Sequence, residues 1–296
     1  MMMNEYASKK YIEIPVREDT ILIDFLLKQM GLTHTRVKNL LSGGAVTVNR
    51  KAVSRHDTPL KRGDVVNVLR HKKSTALENR YVKIIYEDKN LVVIEKSEGI
   101  LSMASSAKQY CVKTVLDEYF EKRHFKCRAH VVHRLDRETS GLMIYAKDIE
   151  TAQTLEHNWK ELVYDRRYVA LLSGAMQQEG GTVHNWLKDN KAFVTYSSPT
   201  DNGGKEAITH YRRLKVNGDL TLCEMKLETG RKNQIRVHMA DIGYPVCGDE
   251  KYGNGRNPAR RLALHAYRLF FTHPVTGEDM RFETPFPKSF TKFFDD

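Results

Sequence analysis

A chain of 296 residues with 41% hydrophobic content is long enough to bury a sizeable core and, at roughly 100–200 residues per domain, to form two domains. No run reaches the roughly 18 apolar residues of a membrane helix, residues 1–19 lack a signal-peptide core, and Cys111, Cys127, Cys223 and Cys247 form no C-x-x-C pair, so a cytoplasmic protein with reduced thiols and no membrane contact is expected. Lys and Arg number 48 against 37 Asp and Glu, a net +11, and residues 1–80 hold fifteen basic against eight acidic residues, which puts +7 of the +11 in the first quarter of the chain.

Such a basic terminal module is an electrostatic footprint for nucleic acid, because each phosphate neutralised releases condensed counterions. Residues 13–70 read as strand, helix, helix, strand. Asp19-Thr20 caps a first predicted helix whose Leu22, Phe25, Leu26 and Met30 recur at helical spacing, and Gly31 stops it. Thr33 or Thr35 starts a second, with Val37, Leu40 and Leu41 on one face and Arg36, Lys38 and Asn39 on the other, ending at Gly43-Gly44. The strand "AVTVN", the turn "NRK" and the closing strand "GDVVNVL" follow. This order resembles the S-four type RNA-binding domain over about sixty residues, through loose motifs, and it puts Arg36 and Lys38 on an RNA-facing surface. Residues 71–80, "HKKSTALENR", are polar and aperiodic and read as a linker.

From Tyr81 to residue 296 short runs rich in β-branched and aromatic residues dominate: "VKIIYED", "LVVIEK", "LMIYAK", "RYVALLSG", "AITHYRRL", "TLCEMKLE" and "LALHAYRLFF". Only "VKTVLDEYFEK" and "TAQTLEHNWKELV" keep helical spacing over two or more turns. The pattern predicts an α+β domain on a large, mostly antiparallel mixed sheet, preceded by the small α/β module.

Between two of these runs, "HRLDRETSG" crowds His133, Arg134, Asp136, Arg137, Glu138 and Ser140 together. A carboxylate flanked by Arg134 and Arg137 is expected to stay ionised, since nearby cations lower its pKa, and it can then serve as nucleophile or base. An Asp shortly before Thr-Ser-Gly more commonly just caps a turn. The balance shifts with a second polar cluster, "LETGRKNQIRVHMADIGYPVCGDEKYG", where Arg231, Lys232, Asn233, Gln234, Arg236 and His238 gather around a turn at Gly230. "HRLDRETSG", "RRYVALLSG" and "TGRKNQIRVHMADIGYPVCGDEKYG" with "RLALHAYRLFFTHP" together resemble the RluA family of RNA pseudouridine synthases, from about residue 81 to the end.

The resemblance implies an isomerase acting on uridine in RNA without cofactor or metal. It makes Asp136 the essential aspartate, pairs Arg236 with it (Arg231 being second choice), and sets Tyr168 against the target base as a candidate for removing the carbon-5 proton. By the same resemblance Arg134 braces the RNA as the nucleotide leaves its stack, and Leu264 walls the uracil pocket. Large-subunit (23S) ribosomal RNA is the expected substrate ahead of transfer RNA, with a monomer as the default state. Ser97, Met103, Asn233 and Arg166 depart from the family pattern and put any transfer of a particular RNA target in doubt.

A metal cluster and two rival functions compete with this reading. His124, Cys127, His130 and His133 recur every third residue, yet one short stretch gathers a tetrahedral zinc site poorly and no second ligand pair lies at the usual spacing. A glycoside hydrolase would use Asp136 and Glu138, which on an extended strand share a face about 7 Å apart. A non-catalytic RNA-binding protein would not need a carboxylate facing phosphates.

Overall fold

A computed structural model describes residues 11–31, 34–42, 45–69, 77, 79–104 and 109–294. Two compact units divide the chain between residues 75 and 76. Thr33, Gly43, Gly44 and most of the expected linker lie outside the described residues.

The first unit runs β1 (Tyr11–Pro15), β2 (Thr20–Ile21), α1 (Leu22–Met30), α2 (His34–Ser42), β3 (Val46–Val48), β4 (Lys51–Ala52), β5 (Pro59–Leu60) and β6 (Val65–Leu69). Its main sheet has the order β1-β6-β3-β4, and β2 pairs with β5. The periodic residues Leu22, Phe25, Leu26, Val37 and Leu41 bury against Val46, Val66 and Val68. Gly31 ends α1 in the left-handed region (φ 62°), its N–H donating to Leu27 O. The expected cap differs. Asp19 does not cap α1; it accepts the Arg62 N–H at 2.9 Å and pairs with Lys61 at 3.0 Å, because Thr20–Ile21 enter the helix from a strand.

The second unit runs β7 (Val82–Glu87), β8 (Leu91–Lys96), α3 (Val112–Lys122), β9 (His130–Val131), β10 (Ser140–Ala146), α4 (Ile149–His157), α5 (Trp159–Leu162), β11 (Asp165–Ser173), β12 (Gly180–Asp189), β13 (Thr195–Ser198), β14 (Lys205–Asn217), β15 (Leu220–Leu227), α6 (Gln234–Asp241), β16 (Leu264–Thr272), β17 (Asp279–Glu283) and α7 (Lys288–Thr291). Eleven strands form one sheet in the order β13-β12-β14-β15-β11-β16-β10-β8-β7, with β17 added on β16 and β9 on β10. The mostly antiparallel expectation holds. Among the named strands of the described residues, β10 pairs in parallel with β16, through Ser140↔His265 and Gly141↔Ala266.

Helices cover both faces at β10, so all seven of its residues are buried. Met143 and Tyr145 pack on one side with Val115, Leu116 and Phe120 of α3, while Leu142, Ile144 and Ala146 pack on the other with Ala152 and Leu155 of α4. The helix Val112–Lys122 appears with the bounds its spacing predicts, and the second predicted helix breaks into α4 and α5 at Asn158. Helix α6 was hidden from apolar periodicity because its buried face includes Gln234 and His238.

Candidate active site

Residues 132–139, joining β9 to β10, are loop rather than strand. Asp136 and Glu138 therefore do not alternate along an extended face as the glycoside-hydrolase reading required. Asp136 lines a cavity; Glu138 is not among its walls and lies 3.4 Å from Arg137.

The loop is held from below. The fully buried Lys96 ammonium at the end of β8 donates to the carbonyls of Ser97 (2.9 Å), Ile100 (3.0 Å) and Arg137 (3.0 Å), and the Gly99 N–H also reaches Arg137 O. Ser102 Oγ accepts the Leu135 N–H at 3.1 Å, and Thr139 N–H closes a turn onto Asp136 O. His133 Nε2 accepts the Ile144 N–H at 2.9 Å, with its ring 4.7 Å from that of Trp159. Burial, then the Arg166 charge, pushes the His133 imidazole down to about 3, so it is neutral and free to accept.

The cavity, about 700 Å³, brings together six of the eight expected site residues: Arg134 and Asp136 from the loop, Tyr168 from β11, Arg231 from the turn before α6, Arg236 from α6 and Leu264 from β16. The other two belong to the first unit. Lys38 is exposed on α2, and the side chain of Arg36 lies outside the described residues.

Charge at Asp136 differs from expectation. Burial raises its carboxyl above the usual carboxylate range, more than Arg236, Arg134, Lys96 and Lys232 together lower it. Arg137 does not take part as expected: its guanidinium Nε faces Gly99 O at 3.3 Å and Glu138. Of the two arginines considered as partners, Arg236 makes the contact, with Nη1 3.8 Å from Asp136 Oδ2, whereas Arg231 Nε donates to Glu206 O.

The bidentate hold belongs to Asp249, which the motif reading did not single out. Its two oxygens take Nε and Nη2 of Arg236 at 2.7 Å each, and Asn233 Oδ1 takes Nη1 at 2.9 Å. Burial opposes charge on the Asp249 carboxyl, but the hydrogen bonds and charge of Arg236 hold it below the usual range. Asn233 does this from the left-handed region (φ 55°), which Asn adopts more readily than most residues. A lone Asp between two glycines in "CGDEKYG" carries no pattern that separates a buried ion-pair partner from a turn residue. Trp159 was equally unmarked.

Tyr168 is 7% exposed, and burial raises its phenol above the ordinary value, so it is protonated at neutral pH. Arg166 stands beside it on the cavity wall, 5.3 Å from the Trp159 ring. The site thus combines a half-buried carboxylate in reach of a fixed guanidinium, a phenol and an apolar wall, within a basic rim.

Residues 90–241 match the family model described as RNA pseudouridylate synthase. The chain is 37% identical over 210 residues to an uncharacterized RNA pseudouridine synthase of Bacillus subtilis, covering 71% of this chain and 74% of the relative. It is 33% identical over 279 residues to ribosomal large subunit pseudouridine synthase D of Neisseria meningitidis serogroup B, covering 86% and 72%. Among solved structures, human RNA pseudouridylate synthase domain containing 1 aligns with a TM-score of 0.60 at 25% identity, over 74% of this chain and 89% of that one.

Proposed function

The chain belongs to the RNA pseudouridylate synthase family, and we propose that Asp136 is its reacting carboxylate and large-subunit ribosomal RNA its substrate. The reaction it catalyses breaks the bond from uracil nitrogen 1 to the ribose anomeric carbon, turns the base, joins carbon 5 to that carbon and releases the carbon-5 proton. Asp136 assists by attacking the anomeric carbon or by taking a ribose proton to give a glycal. Both routes require it ionised. The 3.8 Å approach of Arg236, itself clamped by Asp249, carries the assignment, because it puts a fixed positive charge beside a carboxylate that burial disfavours.

Tyr168 and Leu264 pack against the uracil in this reading. Tyr168 enters as the neutral phenol, so removing the carbon-5 proton requires concerted loss of its own. Arg134 braces the RNA while the nucleotide is extruded, a step that costs about a few kcal/mol of unstacking. The first unit serves as an S-four type RNA-docking domain through Arg36 and Lys38. Supporting the ribosomal substrate are the relatives named ribosomal large subunit pseudouridine synthase D and the +7 carried by the first eighty residues.

The test is tritium release from RNA labelled at uridine carbon 5, with unmodified large-subunit ribosomal and transfer RNA in parallel. Release from the ribosomal RNA, abolished in Asp136→Asn although that variant still binds, is expected. Release from transfer RNA alone would overturn the substrate, and a fully active Asp136→Asn would overturn the site.

A further inference from the structure

A phenylalanine stands where the physics of a soluble surface disfavours it. Phe193 is 74% exposed and sits in the left-handed region (φ 57°), a conformation that bulky residues rarely adopt. The turn between β12 and β13 is nevertheless firmly built. Asn190 Oδ1 accepts the N–H groups of Ala192 (2.9 Å) and Val194 (3.0 Å), and Asn190 O accepts that of Phe193 (2.9 Å). The Phe193 carbonyl takes two ammonium groups, Lys232 and Lys251, each at 3.1 Å. So many bonds spent on presenting an apolar ring to water call for a partner.

Position and charge identify its chemistry. Lys232 lines the cavity and also bonds Asp189 of β12. Two residues past Phe193, the Thr195 N–H donates to Tyr252 Oη, which also receives Asn233 Nδ2, and Asn233 holds Arg236. The hairpin tip is thereby tied to the rim of the site. Along the hairpin, His184, Trp186 and Lys188 alternate on the side opposite buried Asn185 and Leu187, and Lys188 faces the 42% exposed Tyr196 across the strands. His184 and Trp186 stack at 5.2 Å.

Aromatic rings, exposed at Phe193 and Tyr196 and half-buried at Trp186, interleaved with lysines suit unpaired nucleotides, whose bases stack on rings while their phosphates meet ammonium groups. We propose that the β12–β13 hairpin is a stacking platform for unpaired bases near the target uridine, with Phe193 as its leading ring. This rests on the RNA-synthase reading above and adds how its substrate is gripped.

The test compares full-length wild type with Phe193→Asn, which suits the left-handed backbone and removes the ring, and with Phe193→Trp, which keeps a ring. On a mixed-sequence single-stranded RNA of about 12 nucleotides, Phe193→Asn should bind roughly 5- to 150-fold more weakly, the span of one lost base stack. It should do so with an unchanged salt slope and no loss of thermal stability, while Phe193→Trp binds like wild type. On large-subunit ribosomal RNA the same variant should lower kcat/KM and spare kcat. Wild-type affinity in Phe193→Asn, an equal loss in Phe193→Trp, or a flattened salt slope would overturn the proposal. So would a wild-type dimer that Phe193→Asn dissolves. Lack of turnover by wild type on any RNA would sink the reaction assignment yet leave the binding comparison decisive for the platform.

Discussion

At Asp136, the carboxylate proposed to react, the fold and the reaction pull in opposite directions. Burial favours the protonated acid, and the chemistry needs the anion. Because its carboxyl titrates above the usual value of 3.8, kcat/KM is expected to fall, as the pH drops, earlier than an unperturbed aspartate would allow. The stability term runs the other way. A folded-state pKa above the unfolded one contributes stability that is complete below pH 3.8 and lost as the pH rises through the folded value. At pH 7 the ionised carboxylate therefore costs stability, and Asp136→Asn should melt above wild type, by about 2–4 °C for each kcal/mol relieved. Calorimetry of both proteins from pH 7 downward checks this: the gap should narrow with acidification. A variant melting below wild type at pH 7 would mean that the contact with Arg236 outweighs desolvation. The motif marked this residue because its charged neighbours are adjacent in sequence. Its pKa was not legible there, since burial depends on which distant elements close over it.

The elements were readable to the extent that their burial follows a simple period. β10 is apolar on both faces, so its strand stands out in any window, and α3 shows an unbroken helical stripe. Helix α6 failed that test because polar groups fill its buried side: Gln234 spans Thr229, Ile208 and Thr209, and His238 bonds Asn185 at 2.7 Å. The parallel contact of β10 with β16 was equally illegible, as the partners are more than a hundred residues apart. Gly141 is the residue that this contact demands. It has φ 127°, and a Cβ there would lie 2.2 Å from Ala266 O and 2.5 Å from Ala266 N, backbone atoms that cannot step aside. Gly141→Ala should cost at least about 4 kcal/mol, a size reserved for such clashes, and lower the melting temperature of this unit by about 8–16 °C. An unaltered melting temperature would show that the two strands separate there at little cost.

Over the whole molecule, the net charge divides unevenly: residues 1–80 carry +7, and the remainder, with 33 basic and 29 acidic residues, carries +4. Counting suffices to see this, but it does not tell which cations are available to phosphate. Among the described residues of the first unit, Lys28 pairs with Glu18 (3.1 Å), Arg55 with Asp57 (2.7 Å) and Lys61 with Asp19 (3.0 Å), so these three cations are already matched at the surface by acids that the net charge has subtracted. Exposed pairs of this kind are worth little to stability, yet each competes locally with an incoming phosphate. Lys38, exposed on α2, should therefore contribute a full phosphate contact if that helix docks on RNA. Lys38→Ala is expected to reduce the slope of log affinity against log salt by about 0.7–0.9, the release from one neutralised phosphate, and Lys61→Ala by less than half of that. The comparison is made on the same large-subunit ribosomal RNA, below and above physiological salt. Equal losses for the two variants would spread docking over the whole basic surface of the unit, and an unchanged slope for Lys38→Ala would take α2 off the RNA, leaving recognition to the catalytic unit.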